Sequence, residues 1–237
     1  MIIATNVTKK FGRLTVLDSV SVTCKKGQTI SLIGPNGSGK TTFIKCLLGM
    51  VVPGSGFITF NQNNIAHDWK YRERIGYMPQ IGRFPENMTI AQVIDMMKDI
   101  RKNSKVQTDT ELIESFNLNS ILHKPMRTLS GGTRQKVSAS LAFLFSPDVL
   151  ILDEPTAGLD PVATEILKEK IQKEKKKGKL VLITSHILSD LDDLVTEVIY
   201  LQDGKLLFHK NIADLKADTG EEKLSRVIAK IMRAASV

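Results

Sequence analysis

The sequence predicts an α/β protein: a mainly parallel sheet, an N-terminal antiparallel β subdomain and an inserted helical subdomain. Three observations predict it. Apolar runs of strand length, Thr29 to Ile33, Val149 to Leu152 and Leu180 to Thr184, alternate with helix-forming stretches, the pattern of strands buried on both faces. A glycine-rich loop joins the first of these runs directly to a helix. Between Arg83 and Pro147 the periodicity becomes helical, with no convincing strand except at its edge.

In chain order, Ile2 to Thr23 alternates apolar and polar residues in two runs, IIATNV and VSVTC, around the turn KKFGRL, which predicts an antiparallel edge sheet. Ser31 to Thr42, SLIGPNGSGKTT, follows, with Gly34-x-x-x-x-Gly39-Lys40-Thr41 set between a strand and the helix-forming FIKCLLGM. Strand, glycine loop and helix in that order form a phosphate-binding loop, the mark of a P-loop NTPase core. The glycines let backbone N–H groups turn inward around a polyphosphate, and the helix N-terminus adds further unpaired donors. The candidate cradle is Gly34, Pro35, Asn36, Gly37, Ser38, Gly39, Lys40, Thr41 and Thr42; Lys40 reaches the β and γ phosphates, and the Thr41 hydroxyl holds Mg²⁺.

Pro53 to Gly56 and FITF predict a turn and a strand, and Ile75 to Met78 a short strand ended by Pro79-Gln80. In the helical stretch Ile90, Val93, Ile94 and Met97 fall at helical spacing, Thr110 to Phe116 continues helical, and Gly132 to Phe145 presents Val137, Leu141 and Leu144 on one face. Met88, Met96 and Met97 read as fillers of that subdomain's core. Pro161 opens a helix to Lys177, Ile187 to Leu194 predicts a short helix, and Glu197 to His209 a hairpin about Asp203-Gly204. Thr219-x-x-Glu222 is a capping box that predicts a final helix with Leu224, Val227, Ile228 and Ile231 in one apolar stripe, packed on the domain or a partner chain.

The length suffices for a core without staples. The net charge of +8 suits nucleic acid, anionic lipid or a phosphate ligand, but much of the excess lies in Lys168 to Lys179, KEKIQKEKKKGK, which reads as the solvated end of a helix stopped by Gly178. Cys24 and Cys46 have no CxxC spacing and read as buried thiols in a reducing compartment. The N-terminus does not have the pattern of a secretion signal, and no run approaches the ~18 apolar residues of a membrane span, so a cytoplasmic protein is expected.

Chemistry beyond phosphate binding enters at Val149-Leu150-Ile151-Leu152-Asp153-Glu154. The apolar strand delivers Asp153 to the sheet's edge as a Mg²⁺ carboxylate, and Glu154, pointing elsewhere, can serve as general base toward an attacking water. His186 follows LVLIT as Asp153 follows VLIL, so both strands end on the edge where phosphates bind, which suggests a γ-phosphate contact for His186. Gln80 also ends a strand, where its amide can orient water or complete the Mg²⁺ shell.

With these residues the chain, from Met1 to about Lys210, resembles the ATP-binding subunits of ABC transporters. Leu129-Ser130-Gly131-Gly132 is similar to that family's signature motif, and it opens a helix whose N–H groups with the Ser130 hydroxyl attract a second phosphate. The resemblance implies that this phosphate belongs to the ATP of another copy, so that a head-to-tail homodimer holds two Mg-ATP at its interface. It implies that Phe11 stacks on adenine, that Gln80 lies in the loop sensing a membrane partner, that Ala157 to Asp160 crosses between subunits and that His186 is the switch histidine. Thr133 departs from the pattern, standing where glutamine is commonest, and is expected to tune activity.

The resemblance implies an ATPase domain over 1–210 with the helical insertion at about 83–147, and a C-terminal helical extension over 211–237. It implies ATP and Mg²⁺ as ligands and a separate integral membrane permease as partner. The protein would sit on the cytoplasmic face of the inner membrane, touching lipid only through the permease, with nucleic acid not expected. A soluble ABC-type ATPase of DNA repair or translation is the rival reading; two cassettes per chain or long coiled-coil insertions are usual there, and this sequence has neither. A regulatory GTPase would need an Asn-Lys-x-Asp segment, which is absent. Within the family, the tail from Gly204 to Met232 with GLDPVAT and TSHIL resembles the ATPase of the nitrous oxide reductase maturation system.

Overall fold

The computed structural model describes residues 1–101, 107–185 and 192–235. The candidate His186 and most of the helix expected over Ile187 to Leu194 lie outside the described residues. Two sheets carry the fold. β1 (Ile2–Phe11), β2 (Leu14–Cys24), β4 (Ser55–Phe60) and β5 (Asn63–Asn64) form an antiparallel sheet in the order β2-β1-β4-β5. The first hairpin is longer than the two short runs suggested. Its turn shrinks to Gly12-Arg13, where Gly12 takes φ +58°, a left-handed conformation that costs glycine little.

The second sheet is β10-β9-β3-β8-β7-β6, built from β3 (Thr29–Ile33), β6 (Ile75–Met78), β7 (Val149–Asp153), β8 (Leu180–Thr184), β9 (Glu197–Gln202) and β10 (Lys205–Asn211). Its paired strands are parallel except for β9 and β10, joined as an antiparallel hairpin. Every residue of β3, β7 and β8 is buried, so alternate side chains feed two cores. Ile30, Leu32, Ile151 and Leu182 pack with the antiparallel sheet and with α1 (Lys40–Leu47); Leu150, Leu152, Val181 and Ile183 pack with the remaining helices. Both cysteines lie in the first core, where burial pushes the Cys24 thiol up to about 12 and the Cys46 thiol up to about 11, so neither is a ready thiolate.

Between β6 and β7 stand α2 (Ile90–Ile100), α3 (Glu111–Ser115) and α4 (Gly131–Phe143). Thr89 and Gln92 form a capping box at the start of α2, and Ile90, Val93 and Ile94 are buried as their spacing requires, with Met88 and Met97 packed beside them. α5 (Pro161–Lys176) begins with the Asp160 side chain accepting from Ala163 N at 2.8 Å and ends near Gly178, which has φ +76°.

Two expectations are corrected here. The lysine-rich stretch is not simply solvated. Lys170 is 1% exposed, and its ammonium lies 2.6 Å from Asp109, 2.7 Å from Glu111 and 3.3 Å from Glu174. Glu174, equally buried, also pairs with Lys177 and Lys179. Carboxylates from the helical insertion thus compensate the charge run, which one-dimensional reading of 168–179 cannot reveal.

The capping box at Thr219 is absent as well. Thr219 is the last residue of α6 (Ile212–Thr219), its hydroxyl donating back to Leu215 O at 2.7 Å, and Gly220 closes that helix in the left-handed region. α7 (Leu224–Ala235) starts later, and its Leu224 N–H donates to the Asp192 carboxylate at 2.7 Å. The apolar stripe does pack on the domain: Leu224, Val227 and Ile228 are buried, and Ile231 lies against the same core.

Candidate nucleotide site

Sheet register assembles the site. Asp153 on β7 pairs with Thr184 on β8, and Thr184 pairs with Leu32 on β3, so three parallel strands end in one row. Gly34 lies two residues beyond Leu32, which brings the glycine loop and the two carboxylates to the same edge. A cleft of about 330 Å³ there is lined by Val16, Asn36 to Thr42, Gln80, Asp153 and Glu154.

The loop has the shape its glycines were expected to allow. Gly34 takes φ +151°, and a Cβ there would lie 2.0 Å from the Leu201 carbonyl oxygen; Gly39 takes φ +100°, with the Val16 carbonyl oxygen at 2.6 Å from such an atom. The Lys40 ammonium donates to Gly34 O at 2.8 Å and Pro35 O at 3.0 Å, curling over the loop. Burial holds its pKa below the usual lysine value, against the opposing pull of Glu154 and Asp153. The Ser38 hydroxyl is buried within the loop and has no hydrogen-bond partner, as a group meant for a further acceptor would be.

The carboxylates differ in setting. Asp153 Oδ1 accepts from the Thr184 hydroxyl at 2.5 Å. Glu154 is buried and holds φ +52°, unusual for a residue with a side chain, and its N–H donates to Thr184 Oγ1 at 3.0 Å. Burial first, then Asp153, pushes the Tyr77 phenol on β6 up to about 12. No group of three or more His, Cys, Asp or Glu that could hold a metal occurs among the described residues. The Thr41 hydroxyl, Asp153 and Gln80 facing one cleft form instead the sparse oxygen set that suits Mg²⁺ shared with phosphate oxygens.

The other candidates lie elsewhere. Phe11 is 51% exposed at the end of β1, beneath the Lys9 ammonium at 5.2 Å, and does not line the cleft. Ser130 is exposed at the start of α4, where its hydroxyl caps the helix by accepting from Thr133 N at 3.2 Å, and neither Gly131 nor Gly132 borders the cleft. Thr133 takes part in that cap through its own hydroxyl, 2.9 Å from Ser130 Oγ. Thr184 and Val16 were not singled out from the sequence. Thr184 could have been, because it is the one polar residue ending an apolar strand that must lie beside the Asp153 strand.

The ABC transporter family model matches residues 17–157. The chain belongs to the ABC transporter family. Among its relatives, the lantibiotic transport ATP-binding protein SrtF of Streptococcus pyogenes is 34% identical over 209 residues, 86% of this chain and 88% of SrtF. The Nod factor export ATP-binding protein I of Ralstonia nicotianae is 32% identical over 206 residues; the match takes in 83% of this chain and 63% of that relative. The solved ATP-binding subunit of an ABC transporter superposes with a TM-score of 0.90 at 26% identity, over 98% of this chain and 99% of that one. The ABC cassette MJ0796, solved as a dimer with ADP and Pi, agrees in fold with a TM-score of 0.79 at 22% identity, over 90% and 99%. In this ABC ATPase no helix among the described residues is long and apolar enough to cross a membrane.

Proposed function

We propose that this ABC ATPase hydrolyses ATP as a head-to-tail homodimer and thereby drives a separate membrane permease. One observation carries the reading. Lys40, Asp153 and Glu154 share a cleft, whereas Ser130, opening α4, is exposed and outside it. A second anion-binding helix end that does not serve its own cleft fits a phosphate brought by another copy.

In this scheme the loop N–H groups and Lys40 bind the β and γ phosphates, and Phe11 stacks on adenine as an exposed aromatic. Thr41, Asp153 and Gln80 would hold Mg²⁺, which when bound neutralises phosphate charge. Glu154 accepts the proton of the attacking water, His186 contacts the γ phosphate, and the Ser130 segment of the second copy stabilises charge developing there. Contact with the cytoplasmic face of the membrane comes only through the permease.

Two substitutions test it. Glu154→Gln keeps ATP binding, lowers turnover by about 100-fold and accumulates an ATP-bound dimer; near-normal turnover sinks the general-base role. Ser130→Arg spares nucleotide binding by the monomer and stops dimer closure. Salt-sensitive binding of RNA or DNA by the purified chain would instead favour the soluble nucleic-acid ATPase. The finer reading, the ATPase of nitrous oxide reductase maturation, is supported by the resemblance of the Gly204 to Met232 tail, GLDPVAT and TSHIL; identifying the permease that copurifies with the chain tests it.

A further inference from the structure

One face of α4 sits on the segment that follows Asp153. A Cβ on Gly132 would lie 2.8 Å from the Gly158 carbonyl oxygen, so the helix and loop backbones touch. Gln135, three residues on and buried, donates through Nε2 to the Glu154 carbonyl oxygen at 3.4 Å. Lys136, one further, pairs with Asp160 at 2.7 Å. Positions 132, 135 and 136 share one stripe of a helix, so the same turn that presents Ser130 also backs the loop carrying Glu154.

The contact at Glu154 is of a special kind. Its conformation, φ +52°, is one that a side-chain-bearing residue holds only when neighbours impose it. The peptide before its Cα is fixed by the N–H, which donates to Thr184 Oγ1 at 3.0 Å. The peptide after it is fixed by the carbonyl, which accepts from Ala157 N at 3.1 Å and from Gln135. With both flanking peptide planes held, the direction of the Cα–Cβ bond is set, and with it the line along which the carboxylate reaches the cleft. Ala157 belongs to the same loop and moves with it; Gln135 is the donor that comes from another element.

We infer that Gln135 is a positioning residue for Glu154, aiming the carboxylate from the helix that carries Ser130. This rests on the proposed role of Glu154 as general base, and the two can fail separately. The test compares Gln135→Met, which keeps the volume and removes the donor, with the wild type. The expected result is kcat lowered about 10-fold or more, with ATP affinity and thermal midpoint unchanged. In a Glu154→Gln background Gln135→Met then adds no further loss, because a residue acting through Glu154 has nothing left to position. Should the methionine variant fold poorly, Gln135→Leu serves in its place, since it also fills the buried site and has no donor. Unchanged kcat in the folded variant, or a further loss in the Glu154→Gln background, overturns the inference. If Glu154→Gln alone leaves turnover intact, the base assignment is what fails.

Discussion

The Thr184 hydroxyl donates to Asp153 Oδ1 at 2.5 Å, linking the ends of two adjacent parallel strands whose residues are paired in register at that point. The same oxygen accepts the Glu154 N–H. One small side chain therefore contacts both acidic residues of the cleft, with the Thr184 carbonyl oxygen, 3.2 Å from Glu154 N, as a second acceptor for that N–H.

Replacing Thr184 with valine keeps the shape and removes that donor. The buried Asp153 carboxylate then turns more freely, and turnover should need about 10-fold more Mg²⁺ for half its maximum, a typical effect of losing a partner of a metal ligand. Thr184→Ser should restore the wild-type titration. A valine variant with an unaltered Mg²⁺ curve would show that the hydroxyl is idle.

The glycines of the loop should differ in their tolerance. Gly34→Ala sets a Cβ against the Leu201 carbonyl oxygen, a main-chain atom that cannot swing away, and should cost about 3 kcal/mol or more in urea unfolding. Gly37 also has positive φ, at +81°, but nothing lies within 4 Å of an added Cβ. Gly37→Ala should cost only about 1 kcal/mol, the intrinsic price of the left-handed conformation.

Lys170→Met should destabilise the protein by about 3 kcal/mol, because the part-buried Asp109 loses its ammonium partner, whereas Glu174 keeps Lys177 and Lys179 and Glu111 keeps Lys173. Glu111 supplies a pH signature. Lys170 and Lys173 hold its carboxyl down to about 2, from 4.5 in the ordinary state, so its contribution is complete above about 4.5 and fades as pH falls toward 2. Since Glu111 is 37% exposed, solvent screening limits that contribution to about 1 kcal/mol. Glu111→Gln should thus lower the melting temperature at pH 7, with the gap to wild type closing by pH 2.

Asp192→Ala should cost about 1 kcal/mol, the usual loss of a helix N-cap, and it should loosen α7 in hydrogen exchange. Thr219→Ala should leave the start of α7 intact, because Leu224 N–H is held by Asp192. Equal fraying in both variants would return the cap to Thr219.

The strand edge that gathers the glycine loop, Asp153 and Glu154 was legible because its signals are local. An apolar run of five residues, a glycine loop and a helix start are contiguous in sequence, and Asp153 ends a strand that had to be buried. What stayed hidden depends on partners distant in sequence. The twelve residues from Lys168 look solvated until Asp109 and Glu111 arrive from some 60 positions away. Thr219 satisfies a capping pattern by letter, yet the Asn211 side chain starts a helix ahead of it by accepting from Ala213 N, and the threonine is spent as that helix's last residue. Nothing local to its sequence marks Gln135, and only packing turns it toward Glu154.

Gly34 is backed by the carbonyl of Leu201, and Gly39 by that of Val16, so the β9–β10 hairpin and β2 brace the phosphate loop from behind. A loop so braced is cast when the chain folds and keeps its form between turnovers. In the proposed homodimer, nucleotide exchange then gains little from softening this part of the socket, and its pace falls to the wall supplied by the α4 of the second copy.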